Sequence, residues 1–140
     1  MIDRLRENCT SILSLVAVQD DHVVGHILFS PVKIDGDTVI EGMGLGPMAV
    51  LPELQRQGIG SQLVRAGIEI LKRRGDPFII VLGHPEYYPR FGFERASLYG
   101  IASQWEGVPD EAFMILVLNE GAMFGACGVA RFRNEFDEAM

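Results

Sequence analysis

The sequence has few cysteines, few cations and no long apolar run, and each shortage excludes a class of protein. Cys9 and Cys127 are the two cysteines among 140 residues, which is too few for a disulfide framework, and they do not form a CxxC pair. No stretch reaches the roughly 18 apolar residues of a membrane span. The N-terminus, Met1 to Glu7, lacks the apolar core of a signal peptide. We therefore expect a cytoplasmic protein with no membrane partner.

The charge balance is acidic. Twelve Lys and Arg stand against nineteen Asp and Glu, which gives a net charge of −7 and a sequence pI near 4.9. This balance argues against a nucleic-acid partner, since such binding depends on Lys and Arg against phosphate. It mildly favours an amine-bearing partner through long-range attraction, although an acidic surface that serves solubility alone is the commoner case. The three histidines and two cysteines show no metal-ligand spacing, so no metal is expected.

The apolar pattern predicts one mixed α/β domain over residues 1–140. Branched apolar runs indicate strands, and one apolar face recurring at helical spacing indicates a helix from about Gly60 to Arg74, ended by Gly75 and Pro77. Antiparallel hairpins thus lead into a parallel β-α-β step. The Gly- and Ala-rich tail after Asn119 gives no firm pattern. The predicted strands are Ser11 to Gln19, Val23 to Val32, Thr38 to Val50, Phe78 to Leu82, Phe93 to Ala96 and Ala112 to Leu118, with a short helical segment from Pro85 to Phe91.

A strand-to-helix turn in the middle of the chain carries the clearest chemical signal. The stretch from Met48 to Gly60 (MAVLPELQRQGIG) ends an apolar strand and opens the helix. The first N–H groups of a helix have no internal partner and lie at the positive end of the dipole, so they attract phosphate. Gly58 and Gly60 lack Cβ and let an oxygen approach the backbone, and Arg56 adds charge at the rim. A glycine-rich turn without a ligand is the alternative.

The spacing Gln55-x-x-Gly58-x-Gly60, preceded by Val50-x-Pro52, resembles the acetyl-CoA-binding signature of the GNAT superfamily of N-acetyltransferases. It matches neither the G-x-G-x-x-G dinucleotide fingerprint nor the Lys-Ser/Thr ending of a P-loop. The segment beyond Phe93 resembles the YhbS-like bacterial branch. The resemblance implies a GNAT-like acyl-CoA N-acyltransferase fold and acetyl-CoA as cosubstrate. The cofactor-binding residues that it implies are Met48, Ala49, Val50, Gln55, Arg56, Gln57, Gly58, Ile59, Gly60 and Ser61.

Glycines and a proline interrupt the strand that precedes this turn. Gly44, Gly46 and Pro47 weaken regular pairing and favour a bulge. In the GNAT superfamily a bulge here splays the strand from its parallel neighbour, and the pantetheine arm enters the gap. The resemblance therefore implies that the backbone of Met48 and Val50 binds that arm, with the Met48 N–H stabilising the developing oxyanion. A bulge without a ligand is the alternative.

A later motif supplies a candidate acid. The stretch Tyr87-Tyr88-Pro89-Arg90-Phe91-Gly92-Phe93 resembles the family's Tyr-x-x-x-Gly-Phe, with Tyr88 on the tyrosine. A tyrosine has an ordinary pKa of about 10, so it is protonated at neutral pH and can donate a proton. The resemblance implies that Tyr88 protonates the departing coenzyme A thiolate. A packed aromatic cluster without a catalytic role is the alternative.

The candidate base is His84, which follows the FIIVL strand at the end where parallel sheets place their sites. Histidine has an ordinary pKa of about 6.5, which suits a general base. His26, Glu41 and Glu86 are further candidates. A water chain could do the same work.

The region ahead of the first predicted strand is short. GNAT proteins normally carry a strand and one or two helices there, whereas this chain has ten residues. Ile2, Leu5 and Cys9 fit one apolar stripe of the last of these helices. The strand from Ser11 to Gln19 then keeps an open edge, which predicts a homodimer that covers it. A C-terminal tail that folds back over the edge is the alternative.

The sequence thus predicts an enzyme that transfers an acetyl group from acetyl-CoA to a primary amine. The acceptor could be a small molecule, an aminoacyl group, or a protein N-terminus or lysine. A non-catalytic acyl-CoA-binding or sensing domain would keep the Gln55 turn but need no acid at Tyr88. A nucleotide-binding module would use the same helix end for another phosphate.

Overall fold

A computed structural model describes residues 2–9, 12–36, 38–52, 55, 58–123 and 127–132, and only the backbone of residues 2–9, 12 and 47. These residues form nine strands around one long helix, α1, at Ile59–Arg74. No helix among them is both long and apolar enough to span a membrane. The strands are β1 (Ile2–Cys9), β2 (Ile12–Gln19), β3 (His22–Asp35), β4 (Val39–Val50), β5 (Phe78–Leu82), β6 (Glu94–Arg95), β7 (Ile101–Ser103), β8 (Phe113–Val117) and β9 (Gly128–Phe132).

The strands join in one sheet in the order β1-β2-β3-β4-β5-β8-β6. The step from β4 through α1 to β5 is parallel, as the sequence predicts, and the other pairs on this path are antiparallel. β9 pairs with β3 and also, in parallel, with β7. Because β7 closely follows β6 in the chain, these pairings bring the two sides of the sheet together and curl it.

The sheet buries a core on each face, because side chains alternate along a strand. The face under α1 holds residues such as Ile27 and Phe29 of β3, Leu45 of β4 and Val81 of β5. The inside of the curl holds a second cluster that includes Phe78 and others of β5 and β8. The FIIVL run of β5 is thus buried on both faces, as continuous apolar strands of parallel sheets are.

Helix α1 packs closely on the sheet. Ile59, Leu63, Val64, Gly67 and Leu71 are its buried residues. A Cβ at Gly67 would lie 2.3 Å from the Phe29 ring, so glycine is what lets the helix axis approach the strand. Gly75 ends the helix in the left-handed region, and its N–H caps the last carbonyls.

The N-terminal segment differs from expectation. The prediction that Ile2, Leu5 and Cys9 form one apolar stripe of a helix is wrong, because residues 2–9 form β1, antiparallel to β2. The edge of β2 offers unpaired backbone groups, and pairing with them outweighs the weak helical spacing of three apolar residues. The edge that was expected to be open at residues 11–19 is therefore covered by the chain itself, and β1 becomes the edge strand.

Smaller differences lie toward the C-terminus. The predicted strands at Phe93 to Ala96 and Ala112 to Leu118 shorten to β6 and β8, and the helical segment after Pro85 is a 3-10 turn at Tyr88–Phe91. β7 and β9 were not predicted.

Candidate active site

β4 carries a bulge in its second half. Ile27 lies opposite Met48 and Phe29 opposite Leu45, so two steps along β3 match three along β4. Gly46 lies in this interval with φ 139°, a conformation that glycine adopts without strain. Since side chains alternate, the extra residue keeps Met48 on the same face as Leu45, packed under α1. The bulge expected from the glycines is present.

β4 and β5 separate beyond this bulge. In the part of the chain that the structure describes, their parallel pairing spans residues 43–45 opposite residues 79–81. Residues 48–50 at the end of β4 continue to pair with residues 25–27 of β3 on the other side. A gap therefore opens between the ends of β4 and β5, while β3 still holds β4 in place.

The backbone of β4 presents donors to this gap. The N–H of Leu51 donates to the carbonyl of Val24, at 2.9 Å, and therefore points toward β3. N–H directions alternate along a strand, so those of Val50 and Met48 point into the gap. The Val50 carbonyl accepts the side-chain amide of Gln55 at 3.1 Å. The gap thus offers an open strand edge of the kind that an extended ligand can pair with.

The start of α1 lies next to this edge. Gly58 is its N-cap, with φ 86° and no side-chain cap, and the first helical bond runs from Gln62 N–H to the Gly58 carbonyl at 3.0 Å. The earlier N–H groups of the first turn have no partner within the helix. Apart from its chain neighbours, no atom of the described residues lies within 4 Å of the position that a Cβ at Gly58 would take, so these residues leave the space in front of the donors open. No acidic side chain occupies the first turn.

A cleft of about 500 Å³ lies in front of the helix start, bounded by Gly58, Gly60 and Ser61 on one side and Tyr87 and Arg90 on the other. The Ser61 hydroxyl and the Tyr87 hydroxyl hydrogen-bond at 3.0 Å. This bond ties the first turn of α1 to the segment after β5 and fixes the width of the cleft.

Arg90 supplies a cation to this cleft, which the sequence reasoning missed. Its guanidinium lies over the Tyr87 ring, 4.6 Å from the centroid, and its Nε donates to the Tyr87 carbonyl at 3.0 Å. A cation held over an aromatic face gains roughly 0.5–1 kcal/mol at exposed sites. The sequence placed the rim cation at Arg56 instead. Arg56 and Gln57 lie outside the described residues.

Tyr88 lies at the inner end of the gap. Its ring is 7% exposed, packs edge-on against Tyr87 at 5.0 Å, and abuts Gly83, where a Cβ would be 2.6 Å from Cε2. Burial, and secondarily Tyr87, raises the pKa of Tyr88 to about 12. The hydroxyl is therefore protonated throughout the neutral range.

A second cleft, of about 450 Å³, brings the predicted residues together. It is lined by Met48, Ala49, Val50, Gln55, His84, Tyr87 and Tyr88. The His84 carbonyl accepts the N–H groups of Tyr87 and Tyr88 at 3.1 and 3.4 Å, which turns the chain after β5 back toward β4. The His84 side chain is exposed to the cleft. The candidate acid, the candidate base and the β4 edge thus share one opening.

The other base candidates lie elsewhere. His26 contacts the Ser14 hydroxyl at 3.0 Å and is the strand partner of Ala49, on the face away from α1. Glu41 pairs with Lys33 in register, seven residues before Met48, which is roughly 23 Å along the strand. Glu41 as base is therefore wrong. Glu86 is exposed in the turn after β5.

Comparisons with a protein-family model and with a known protein point to the same family. Residues 11–95 match the family described as "Acetyltransferase (GNAT) domain". The chain is 33% identical to the N-acetyltransferase YhbS of Escherichia coli K12 over 98% of its own length and 81% of that protein.

Two solved structures are similar over most of this chain. The crystal structure of E. coli YhbS in complex with CoA shares 34% identity with a TM-score of 0.82, covering 89% of this chain and 69% of that one. A GNAT family acetyltransferase from Brucella melitensis in complex with acetyl-CoA shares 37% identity with a TM-score of 0.68, covering 89% and 68%.

Proposed function

We propose, from the premise that this chain belongs to the GNAT family of N-acetyltransferases, that it transfers an acetyl group from acetyl-CoA to a primary amine. The observation that carries the proposal is the gap between β4 and β5, where the N–H groups of Met48 and Val50 face an opening that Tyr88 and His84 share. The complexes of YhbS with CoA and of the Brucella protein with acetyl-CoA support a bound acyl-CoA.

The residues around the helix start fit a pyrophosphate. The open N–H groups of the first turn lie at the positive end of the dipole, and the open space beyond Gly58 is what a Cβ would fill. Arg90 adds a full positive charge from the facing wall. Ser61 and Gly60 line the same cleft and complete the phosphate contacts.

The β4 edge fits the extended pantetheine arm. Val50 and Met48 direct N–H groups into the gap two residues apart, which is the repeat of an added strand. The side-chain amide of Gln55 donates to the Val50 carbonyl, so strand pairing along this edge ends at that carbonyl. Ala49 lies between them, and its small exposed side chain leaves the opposite face of the sheet uncovered.

The cosubstrate supplies an activated thioester, and the chain supplies positioning, charge stabilisation and proton transfer. As the amine nitrogen bonds to the carbonyl carbon, the Met48 N–H donates to the oxygen that gains negative charge. As the carbon–sulfur bond breaks, Tyr88 donates a hydrogen bond to the departing thiolate. His84, or water in the cleft, removes the proton that the attacking nitrogen must lose.

The test is acetyl-CoA-dependent thiol release with a panel of primary amines, alongside calorimetry with CoA, ATP and NAD. We expect amine-dependent thiol release and micromolar CoA binding with no comparable nucleotide binding. CoA binding without thiol release for any amine would favour the acyl-CoA-sensing alternative. Equal binding of ATP or NAD would favour a nucleotide module.

We also propose that the chain acts as a cytoplasmic homodimer. β1 is an edge strand of the described sheet, and an edge strand offers unpaired backbone groups to a second copy. Light scattering of the purified chain tests the dimer. A single species near the monomer mass of 15.5 kDa at micromolar concentration would contradict it.

A further inference from the structure

A third opening, separate from the two clefts described above, lies on the face of the sheet away from α1. It is a cavity of about 460 Å³ whose walls include Leu82, Trp105, Glu106 and Val108. Leu82 and Val108 pack against the core inside the curl, whereas Tyr88 packs against the core under α1. The cavity and the cleft that Tyr88, His84 and the β4 edge share therefore approach the end of β5 from opposite faces.

The cavity lies close to the β4 edge. Val81 pairs with Leu45, so Leu82 is level with Gly46 and two residues short of Met48, which is roughly 7 Å along the strand. Apart from its chain neighbours, no atom of the described part of the chain lies within 4 Å of the position that a Cβ on Gly46 would take. A ligand whose body lies in the cavity would therefore need to extend about two residues of strand length to reach the Met48 N–H.

One wall of the cavity is a fixed aromatic surface. The Trp105 ring lies against Phe132 with centroids 4.8 Å apart and an interplanar angle of 33°. The backbone N–H of Trp105 donates to the Ser103 hydroxyl at 3.1 Å, and the backbone N–H of Phe132 donates to the Gln104 side-chain oxygen. These contacts hold the indole before any ligand arrives, which lowers the entropy that binding must offset.

The charge at the cavity selects its ligand. Glu106 is exposed at the rim, and the whole chain carries a net charge of −7. A carboxylate beside an indole attracts a cation, which also gains from the aromatic face. The same carboxylate repels an acceptor that carries its own carboxylate next to the amine.

We propose that this cavity binds the acceptor, and that the acceptor is a small primary amine with an apolar, preferably aromatic, body and no adjacent carboxylate. This inference rests on the proposed acetyl transfer. The apolar body lies between Leu82 and Trp105, Glu106 draws in the ammonium group, and the amine end reaches the thioester beside Met48.

The full chain reports directly on this cavity, because Trp105 is its only tryptophan. The test is an indole-fluorescence titration of the CoA-saturated protein with phenethylamine, and with phenylalanine as the carboxylate-bearing match. We expect a saturable change with phenethylamine and up to about 5-fold weaker binding of phenylalanine, the most that one exposed charge contact supplies. An exposed charge pair contributes about 0.2–1 kcal/mol, so Glu106→Gln should weaken phenethylamine binding by about 1.4- to 5-fold. Glu69→Gln, on the exposed face of α1, is the matched control and should bind as wild type does.

A second pair of variants tests the wall by kinetics. Trp105→Leu should raise the KM for phenethylamine about 10-fold while leaving kcat and CoA affinity near wild type, and Trp105→Phe should restore most of the loss. Leu98→Ala removes an exposed apolar side chain at a different cavity and should change neither.

The outcomes separate this inference from the proposed function. No saturable fluorescence change, equal binding of phenylalanine, or an unchanged KM in Trp105→Leu overturns the acceptor assignment and leaves acetyl transfer standing. Saturable phenethylamine binding that depends on Glu106, without acetylation of any amine, supports the cavity's ligand class and overturns the proposed enzyme.

Discussion

Replacement of Tyr88 by phenylalanine separates the hydroxyl from the ring. The ring is 7% exposed, packs edge-on against Phe93 at 5.7 Å, and abuts the backbone at Gly83. All of these contacts involve the ring and persist in Tyr88→Phe. We therefore expect the fold and the affinity for CoA to stay near wild type, while the hydrogen-bond donor in the cleft is lost.

The expected loss follows from the acidity of the hydroxyl. The pKa of Tyr88 is raised to about 12, which is above the ordinary pKa of a thiol, about 8.5 for a cysteine side chain. Complete proton transfer from Tyr88 to a free thiolate would therefore be uphill. We therefore expect Tyr88 to act as a hydrogen-bond donor while the carbon–sulfur bond breaks. One preorganised donor is worth about 10²- to 10³-fold in kcat, so kcat should fall by about 10²-fold.

The assay is thiol release at saturating acetyl-CoA and amine, with calorimetry for CoA. The matched control is Tyr99→Phe, which removes an exposed hydroxyl bonded to Glu94 and should leave kcat unchanged. A kcat for Tyr88→Phe within about 3-fold of wild type would refute the role of the hydroxyl. An equal loss of CoA affinity would show that Tyr88 shapes the cleft instead.

The same substitution should alter alkaline stability. Burial raises the pKa of Tyr88 from 10.0 to about 12 in the folded state. Below pH 10 the hydroxyl is protonated in both states, so its contribution is fully present; between pH 10 and 12 the unfolded state ionises first and stability is lost. Two units correspond to about 2.7 kcal/mol. Denaturant midpoints on either side of this window should fall more in wild type than in Tyr88→Phe, and parallel curves would contradict the shift.

Three further outcomes test other parts of the site and fold. Gly58→Val and Gly60→Val should each weaken CoA binding by about 10-fold or more, because a branched side chain fills the phosphate's place; calorimetric affinities equal to wild type would rule out this site. Gly67→Ala should lower the free energy of unfolding by about 1–3 kcal/mol through overpacking against Phe29, and an unchanged denaturant midpoint would show that the helix shifts freely. His84→Gln should lower kcat/KM at neutral pH with CoA affinity kept, and unchanged turnover would assign proton removal to water.

Local sequence signals anticipated the centre of the fold. The helix is predicted one residue late, at Gly60 instead of Ile59, because apolar spacing and the Gly75 stop both act within the segment itself. The bulge follows equally from local chemistry, since Gly46 permits a positive φ and a following proline removes a donor. Such features need no knowledge of distant residues.

Long-range pairing accounts for what was missed. β7 and β9 are strands of three and five residues, and their parallel pairing joins residues about 27 positions apart in register. In neither segment do apolar and polar residues alternate strongly enough to predict a strand from the sequence alone. β1 was mistaken for a helix for the same reason, because the open edge of β2 decides its conformation.

The site residues that the sequence reasoning missed are those whose roles arise from packing. Arg90 reaches the cleft in front of the helix start because its guanidinium lies over Tyr87. The motif that contains both residues was interpreted only for its candidate acid. Trp105 gains its position from Phe132, 27 residues later. For Arg90, the available signal was a positive residue two positions after a Tyr-Tyr pair. No local signal marks Trp105.

The step through Gly46 and Pro47 in β4 determines two things: the face of the sheet on which the Met48 side chain lies, and the direction in which the Met48 N–H points. In a regular strand Pro47 would lie opposite Ile27, because the pair before it is Phe29 with Leu45. Met48 would then face away from α1 and its N–H would turn toward β3, since side chains and N–H groups alternate with the same period. The bulge shifts both by one residue at once, so Met48 packs under α1 and its N–H turns to the gap. Glycine permits the φ of 139° that this shift requires. Proline has no N–H and cannot donate a hydrogen bond to a regular strand ladder, so Pro47 does not oppose the shift.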